Sequence, residues 1–344
     1  MRHCALFLAI AVGCSSHDRA SAEESVAVQT PEAAPEGEAV VEPEGQAQGA
    51  GAGAREGVVA PAVVRACAPP RRTSEAPRLR EGIVYSRPGG RPLALDLALP
   101  AGRGPHPVVL VFHGGAWRAG ERAHVREEIA VLARLGYAGA AIDYRLVDGY
   151  SNTFPAAIAD ARCAVRHLRS RAADLDLDPD RIGALGYSSG AQVALMLATA
   201  SDVAGLDDGC ADVGTSPAVR AAIGVASPTD LRPEARFTRP ADRAITRFLG
   251  TTRRRDPDAA ALASPIAHVG GGDAATLLIH GTADRVIPIE QPRRLRAALA
   301  RAGAPVTLVE LDGVEHGFRL FGDDPRVLPG VCTAVAFLRA ALGP

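Results

Sequence analysis

From residue 83 to the C-terminus, apolar positions recur in two rhythms. Residues 93–99 read Leu-Ala-Leu-Asp-Leu-Ala-Leu, and from Leu95 to Leu99 they alternate in period two, the rhythm of a strand with one buried face. Together with residues 83–85, across the Arg-Pro-Gly-Gly turn at 87–90, they predict two antiparallel strands. Residues 108–112, Val-Val-Leu-Val-Phe, form an unbroken apolar run, as expected of a parallel strand covered on both faces. Similar short runs predict strands at 138–142, 182–185, 219–226, 276–280 and 306–311. The stretches between them predict helices at 121–135, 154–172, from Ser189 onward, 241–249, 291–302 and 325–342. Strands that alternate with helices imply an α/β fold: a doubly wound, mostly parallel sheet of about eight strands with helices on both faces. No internal repeat is visible.

The first 76 residues lack this patterning. Residues 1–14 carry one basic residue (Arg2), then an apolar run from Ala5 to Val12 that is too short to span a bilayer and suits a secretory leader. Ala11, Val12, Gly13 and Cys14 resemble a bacterial lipobox, although Ala11 stands where Leu is usual. The resemblance implies lipidation of Cys14, export, and a body tethered to a membrane without spanning it; a plain signal peptide with secretion is the alternative. Residues 15–76 predict a disordered acidic tether. Between Cys14 and Cys67 nine acids face three arginines with no aromatic residue, too little apolar surface to offset ordering entropy. Residues 77–344 are the predicted globular domain.

Composition narrows the functional classes. The formal net charge is −1, which argues against nucleic acid as a partner. The chain contains no lysine, a mark of base composition rather than of function. With Cys4 and Cys14 assigned to the leader, Cys67, Cys163, Cys210 and Cys332 remain, an even set that permits two disulfides in three pairings.

The candidate chemistry lies at predicted strand ends. Gly186, Tyr187, Ser188, Ser189 and Gly190 spell G-x-S-x-G between a strand and a helix. Small residues two positions either side let a serine sit on a strained turn with its hydroxyl exposed, beside the first amides of the helix. After 108–112 comes His113-Gly-Gly-Ala-Trp117, whose paired glycines suit a loop that presents amides to a developing oxyanion. There His113 props the loop rather than acting as a base. Asp284 follows the 276–280 strand and His316 follows 306–311. Ser188, Asp284, His316 is the chain order of a nucleophile–acid–base set in this strand–turn–helix context. Asp230 is the second candidate acid. Asp174, Asp176, Asp178 and Asp180 alternate as in a calcium loop, but no frame supplies both its glycine and its terminal acid. The histidines and cysteines have no metal-site spacing, so no metal is expected.

These segments, with Asp143-Tyr-Arg-Leu146, Phe154-Pro-Ala-Ala-Ile-Ala-Asp160, Asp178-Pro-Asp-Arg-Ile-Gly183 and Ser264-Pro265, resemble the α/β-hydrolases of the esterase/lipase superfamily. The likeness covers about 80–344 and favours the branch with an HGGxW loop, which includes carboxylesterases, feruloyl- and acetyl-esterases and kynurenine formamidase. It implies Ser188, Asp284 and His316 as a catalytic triad, with oxyanion donors at the amides of Gly114, Gly115, Ala116 and Ser189. It also implies a cofactor-free hydrolase of small-molecule esters, short-chain or aryl. An amide hydrolase (formamidase or peptidase) on the same fold and a non-catalytic binding lipoprotein are the rival readings. Where relatives often read Ser-Ala-Gly-Gly, this chain has Ser188-Ser-Gly-Ala191. Any small cap must come from about 231–262, a stretch rich in arginine, either a basic rim for acidic substrates or a solvated helical surface.

Overall fold

The computed structural model describes Cys67, residues 76–207, 209–211 and 214–343. The leader, Cys14 and the acidic stretch up to residue 75, Cys67 apart, lie outside the described residues. Eight strands form one sheet: β1 (Arg78–Ser86), β2 (Leu93–Leu99), β3 (His106–Phe112), β4 (Ala138–Ile142), β5 (Leu177–Tyr187), β6 (Ala221–Val225), β7 (Ala275–Gly281) and β8 (Val306–Leu311), in the order β1-β2-β4-β3-β5-β6-β7-β8. β1 and β2 pair antiparallel, β2 runs antiparallel to β4, and all later pairs are parallel. Every strand predicted from the apolar runs is present. β1 and β5 extend beyond their apolar cores, because an edge strand needs apolar residues on one face only and because the start of β5 holds the polar Asp178 and Asp180.

The central strands are apolar throughout because both faces are covered. In β3, Val108, Leu110 and Phe112 join one core, and Val109 and Val111 join the other. Helices α2 (Ala156–Ser170) and α3 (Ser189–Thr199) pack on the first face through Ile158, Val165, Leu168, Val193 and Met196. Helices α1 (Arg126–Leu135) and α7 (Leu328–Leu342) pack on the second through Ile129, Leu132, Val331 and Leu338. The predicted 121–135 helix is divided into a 3-10 turn (Arg122–Val125) and α1, which ends at Gly136 in the left-handed region. Between β6 and β7 the chain inserts α4 (Arg239–Leu249) and α5 (Pro257–Leu262), within the expected 231–262. α6 (Glu290–Ala302) packs Leu295 and Leu299 against β7 and β8.

Of the three possible disulfide pairings, the structure has Cys67–Cys332 and Cys163–Cys210, with Cα separations of 4.8 and 5.4 Å. The first fastens Cys67 to α7. The second joins α2 to the loop before β6.

One polar position interrupts the apolar rhythm of β2. Asp96 is fully buried and accepts hydrogen bonds from Arg122 Nε (2.8 Å), Arg126 Nε (2.9 Å) and the Gly82 amide (2.9 Å). Arg122 also pairs with Asp143 at the end of β4. The cluster joins β2, β4 and the start of α1. Removing the carboxylate leaves Arg122 to Asp143 and Arg126 to Glu81 but takes the shared buried acceptor from both and from the Gly82 amide, and losing hydrogen bonds to a charged group costs about 1.5–3 kcal/mol. Asp96→Ala is expected to lower the unfolding free energy by that much, read as a lower urea midpoint without a change in slope. A loss under about 1 kcal/mol would mean that the cluster behaves as a solvated surface pair.

Candidate active site

The site forms at the C-terminal edge of the parallel strands. β5 ends at Tyr187, α3 begins at Ser189, and Ser188 alone makes the turn, with φ 51° and ψ −117°. A non-glycine residue in that region is strained, and the neighbours must hold it there. The Ser188 amide donates to Val225 O of β6 at 2.8 Å. A Cβ on Gly186 would stand 2.0 Å from Gly190 O, and one on Gly190 would stand 2.3 Å from His113 O. Only glycine fits at both positions, which accounts for the G-x-S-x-G spelling. Ala191, the departure from Ser-Ala-Gly-Gly, is buried and carries its methyl without disturbing the bond from its amide to Ser188 O (3.0 Å).

The loop after β3 lies directly beside this turn. A Cβ on Gly114 would stand 3.5 Å from Ser188 Cβ. Gly115 (φ 123°), Ala116 (φ 54°) and Trp117 (φ 59°) follow in the left-handed region, and the amides of Arg118 and Ala119 both donate to Gly115 O at 3.0 Å. The amide of Ser189 is one of the first-turn amides of α3, which have no acceptor within the helix and form its positive end. Gly114 thus lies beside Ser188, and the Ser189 amide directly follows it at the start of α3. His113 is buried, stacks on Tyr144 at 4.5 Å, and donates from Nδ1 to Gly114 O at 2.7 Å. Burial pushes its pKa down despite the Gly114 carbonyl, which favours the neutral ring as a prop for the loop. Trp117 stacks on Phe248 of α4 at 4.3 Å and donates from Nε1 to Gln192 at 3.0 Å.

Three residues predicted from separate strand ends converge. His316 Nε2 is 3.0 Å from Ser188 Oγ, and its Nδ1 is 2.7 Å from Asp284 Oδ2. Asp284 Oδ1 accepts the amides of Val286 (2.8 Å) and Ile287 (2.9 Å). Burial raises the Asp284 pKa, but hydrogen bonds from His280 and His316, the His316 charge and the Ile287 amide outweigh it and hold the carboxyl well below the usual carboxylate range. A hydroxyl so placed can pass its proton to Nε2 as Oγ attacks an electrophile, with a fixed carboxylate behind the imidazole.

Residues 95–299 match the family model BD-FAE, about three fifths of the chain. The chain belongs to the BD-FAE family. Esterase LipQ of Mycobacterium tuberculosis is 32% identical over 240 residues, 68% of this chain and 56% of LipQ; the chain thus spans little more than half the length of that relative. Among solved structures, a truncated carbohydrate esterase from gut microbiota is 25% identical, with a TM-score of 0.68 over 79% of this chain and 99% of its own. Thermogutta terrifontis esterase 2 phosphonylated by sarin is 28% identical, with a TM-score of 0.67 over 80% and 99%. The doubly wound sheet is accordingly that of an α/β-hydrolase. His316 lies beyond the matched stretch and is located by its geometry.

In this BD-FAE chain the second candidate acid has other partners. Asp230 is fully buried and bound to Arg232 (2.8 Å) and Arg294 (2.9 Å), two permanent cations that hold it in place. His280 is the residue that sequence reasoning passed over. It is fully buried, its Nε2 donates to Ile287 O at 2.9 Å and lies 3.1 Å from Asp284 Oδ2. The one available signal was a polar residue closing the apolar Thr276–Ile279 run.

Because the folded pKa of Asp284 is depressed, the stability it contributes is complete above about pH 4, the unfolded value, and is lost as pH falls through the folded one. Asp284→Asn is expected to flatten the acid limb of a stability–pH curve below pH 4 and, in a working triad, to lower kcat by about 10⁴-fold. An unchanged acid limb, read from urea midpoints at successive pH values, would contradict the hydrogen-bonding account.

Proposed function

We propose that this BD-FAE protein is a serine carboxylic ester hydrolase acting through an acyl-enzyme. The observation that carries the reading is the single line of contacts from Ser188 Oγ through His316 to Asp284, at 3.0 and 2.7 Å. Ser188 attacks the ester carbonyl, and His316 takes its proton and returns it to the leaving alcohol. Water then repeats the sequence on the acyl-enzyme. Asp284 holds the imidazolium, and the amides of Gly114, Gly115, Ala116 and Ser189 receive the oxyanion. The esterase names of the relatives support this assignment.

Short acyl or aryl esters are the proposed substrates, and the insertion between β6 and β7 the proposed cap. It supplies helices of only 11 and 6 residues, and its Phe248 is already occupied in packing on Trp117. That leaves little chain from which to build a deep acyl tunnel. Hydrolysis of a p-nitrophenyl ester series tests both points. Activity is expected to be highest on acetate to butyrate, to vanish in Ser188→Ala, and to be blocked by a fluorophosphonate that labels Ser188. A folded wild type that is inert on every ester would overturn the reading and bring the amide-hydrolase and binding alternatives forward.

The chain is also proposed to be an exported bacterial lipoprotein, lipidated at Cys14 and joined to its catalytic domain by the acidic segment. Two disulfides favour an oxidising compartment, and the leader supplies the route. Expressed in a bacterial host with radiolabelled palmitate, the full chain is expected to carry label and to fractionate with membranes. Cys14→Ser should lose both. A soluble, unlabelled wild type would remove the anchor and leave a plain signal peptide.

A further inference from the structure

His316 sits in the 312–324 loop between β8 and α7, a long excursion for a residue that must meet Ser188 within hydrogen-bond distance. The loop is fixed at its start. The amides of Ala283 and Gly313 donate to Val314 O (3.1 Å) and Thr282 Oγ1 (2.9 Å), so this end is stitched to the strand-end segment that carries Asp284. Beyond His316 a different element takes over. Arg319 reaches across to α1 and donates from Nε and Nη2 to Glu128 Oε1 (3.1 and 2.8 Å) and from Nη2 to Oε2 (2.8 Å), while its Nη1 lies 2.9 Å from Glu127.

Glu128 is an unusual anchor. It is 2% exposed although it stands in the first turn of a surface helix. Burial raises its pKa, and the charge of Arg319 is the main opposing influence. Tyr187, the residue before Ser188, has its hydroxyl buried near the same pair, and the charges of Glu128 and Arg319 both act on it. One buried carboxylate therefore holds the chain on the histidine side of the Ser188–His316 contact through Arg319, and Tyr187, on the serine side, packs in the same core as α1. A charge so placed is costly unless paired in a fixed geometry, and a forked guanidinium supplies that geometry.

We propose that Glu128 and Arg319 are a positioning pair that holds the His316 loop in register with Ser188. They act through the histidine and touch neither substrate nor the reacting atoms. The proposal rests on the ester-hydrolase reading above. It assigns to α1, on the opposite face of the sheet from α3, a share in setting the distance between nucleophile and base.

The test compares the full chain with Arg319→Met, Arg319→Lys, Glu128→Gln and the double variant Glu128→Gln/Arg319→Met. The double variant leaves no unpaired buried charge, so it separates positioning from a general loss of folding. Each is measured for its thermal midpoint, for kcat and KM on p-nitrophenyl acetate, and for its rate of labelling by a fluorophosphonate. A small misplacement of a catalytic group can cost about 10²-fold in rate. The folded double variant is expected to lose about 10–100-fold in kcat and in labelling rate, with KM within about twofold, and Arg319→Lys to recover part of that loss by retaining the charge without the fork. Wild-type kcat and labelling in the folded double variant would overturn the proposal, as would a change confined to KM. A wild type that neither hydrolyses the ester nor takes the label would instead sink the ester-hydrolase reading, an outcome distinct from either.

Discussion

The site depends on one close approach of backbones. At Ser188 the chain turns from strand to helix within a single residue, and the turn is possible because Gly186 and Gly190 have no Cβ to collide with each other's neighbourhood and with the carbonyls of Phe112 and His113. The same contact does a second thing. It lays the start of α3 against the end of β3, so the Gly114 loop leaves the sheet beside the serine. Parallel register completes the arrangement: Phe112 is level with Gly186, Tyr187 with Val225, and Gly281 with Leu311. Strands that end level release their loops together, and the crevice outside their carboxyl ends is where an open α/β sheet gathers its chemistry.

What the sequence made legible follows from how local each signal is. β3 could be read from five consecutive apolar residues because each face of the sheet takes alternate members of the run. The elbow could be read because its steric demand falls on positions two residues from Ser188. Asp284 and His316 could be read from chain order and strand ends. His280 could not: its role depends on a loop folding back to bring Asp284 within 3.1 Å, and a histidine in a strand gives no sign of that. Arg319 and Glu128 were equally silent, since 191 positions separate them and each looks like an ordinary charge in an arginine-rich chain. The division of 121–135 into a 3-10 turn and a helix was hidden for a related reason, the pull of Asp96 and Asp143 on Arg122 from two strands.

Partners also sort the buried carboxylates by task. Asp96, Glu128, Asp160 and Asp230 are each paired with arginine: Arg122 and Arg126, Arg319, Arg145, and Arg232 with Arg294. A guanidinium keeps its proton at any pH a protein survives, and its planar fork fixes direction as well as charge. Such a pair can brace a fold but cannot move a proton. Asp284 is the buried acid whose two side-chain partners are imidazoles, and an imidazole exchanges its proton near neutrality.

The histidines show the complementary division. His113 is buried against Tyr144 and bonded to Gly114 O, so its environment favours the neutral ring and leaves it no route to the serine. His280 is fully enclosed, with Nε2 turned toward Ile287 O and Asp284. Its Nδ1 has no hydrogen-bond partner among the described residues, and neither nitrogen faces Ser188. His316 alone of the three is partly open to solvent, with one nitrogen on an anchored carboxylate and the other on the strained serine. Proton transfer needs a group whose charge is tolerated in both states. In this fold that condition is met where the loop is held from both ends and left open between them, which is why the bracing of the His316 loop bears on rate rather than on folding alone.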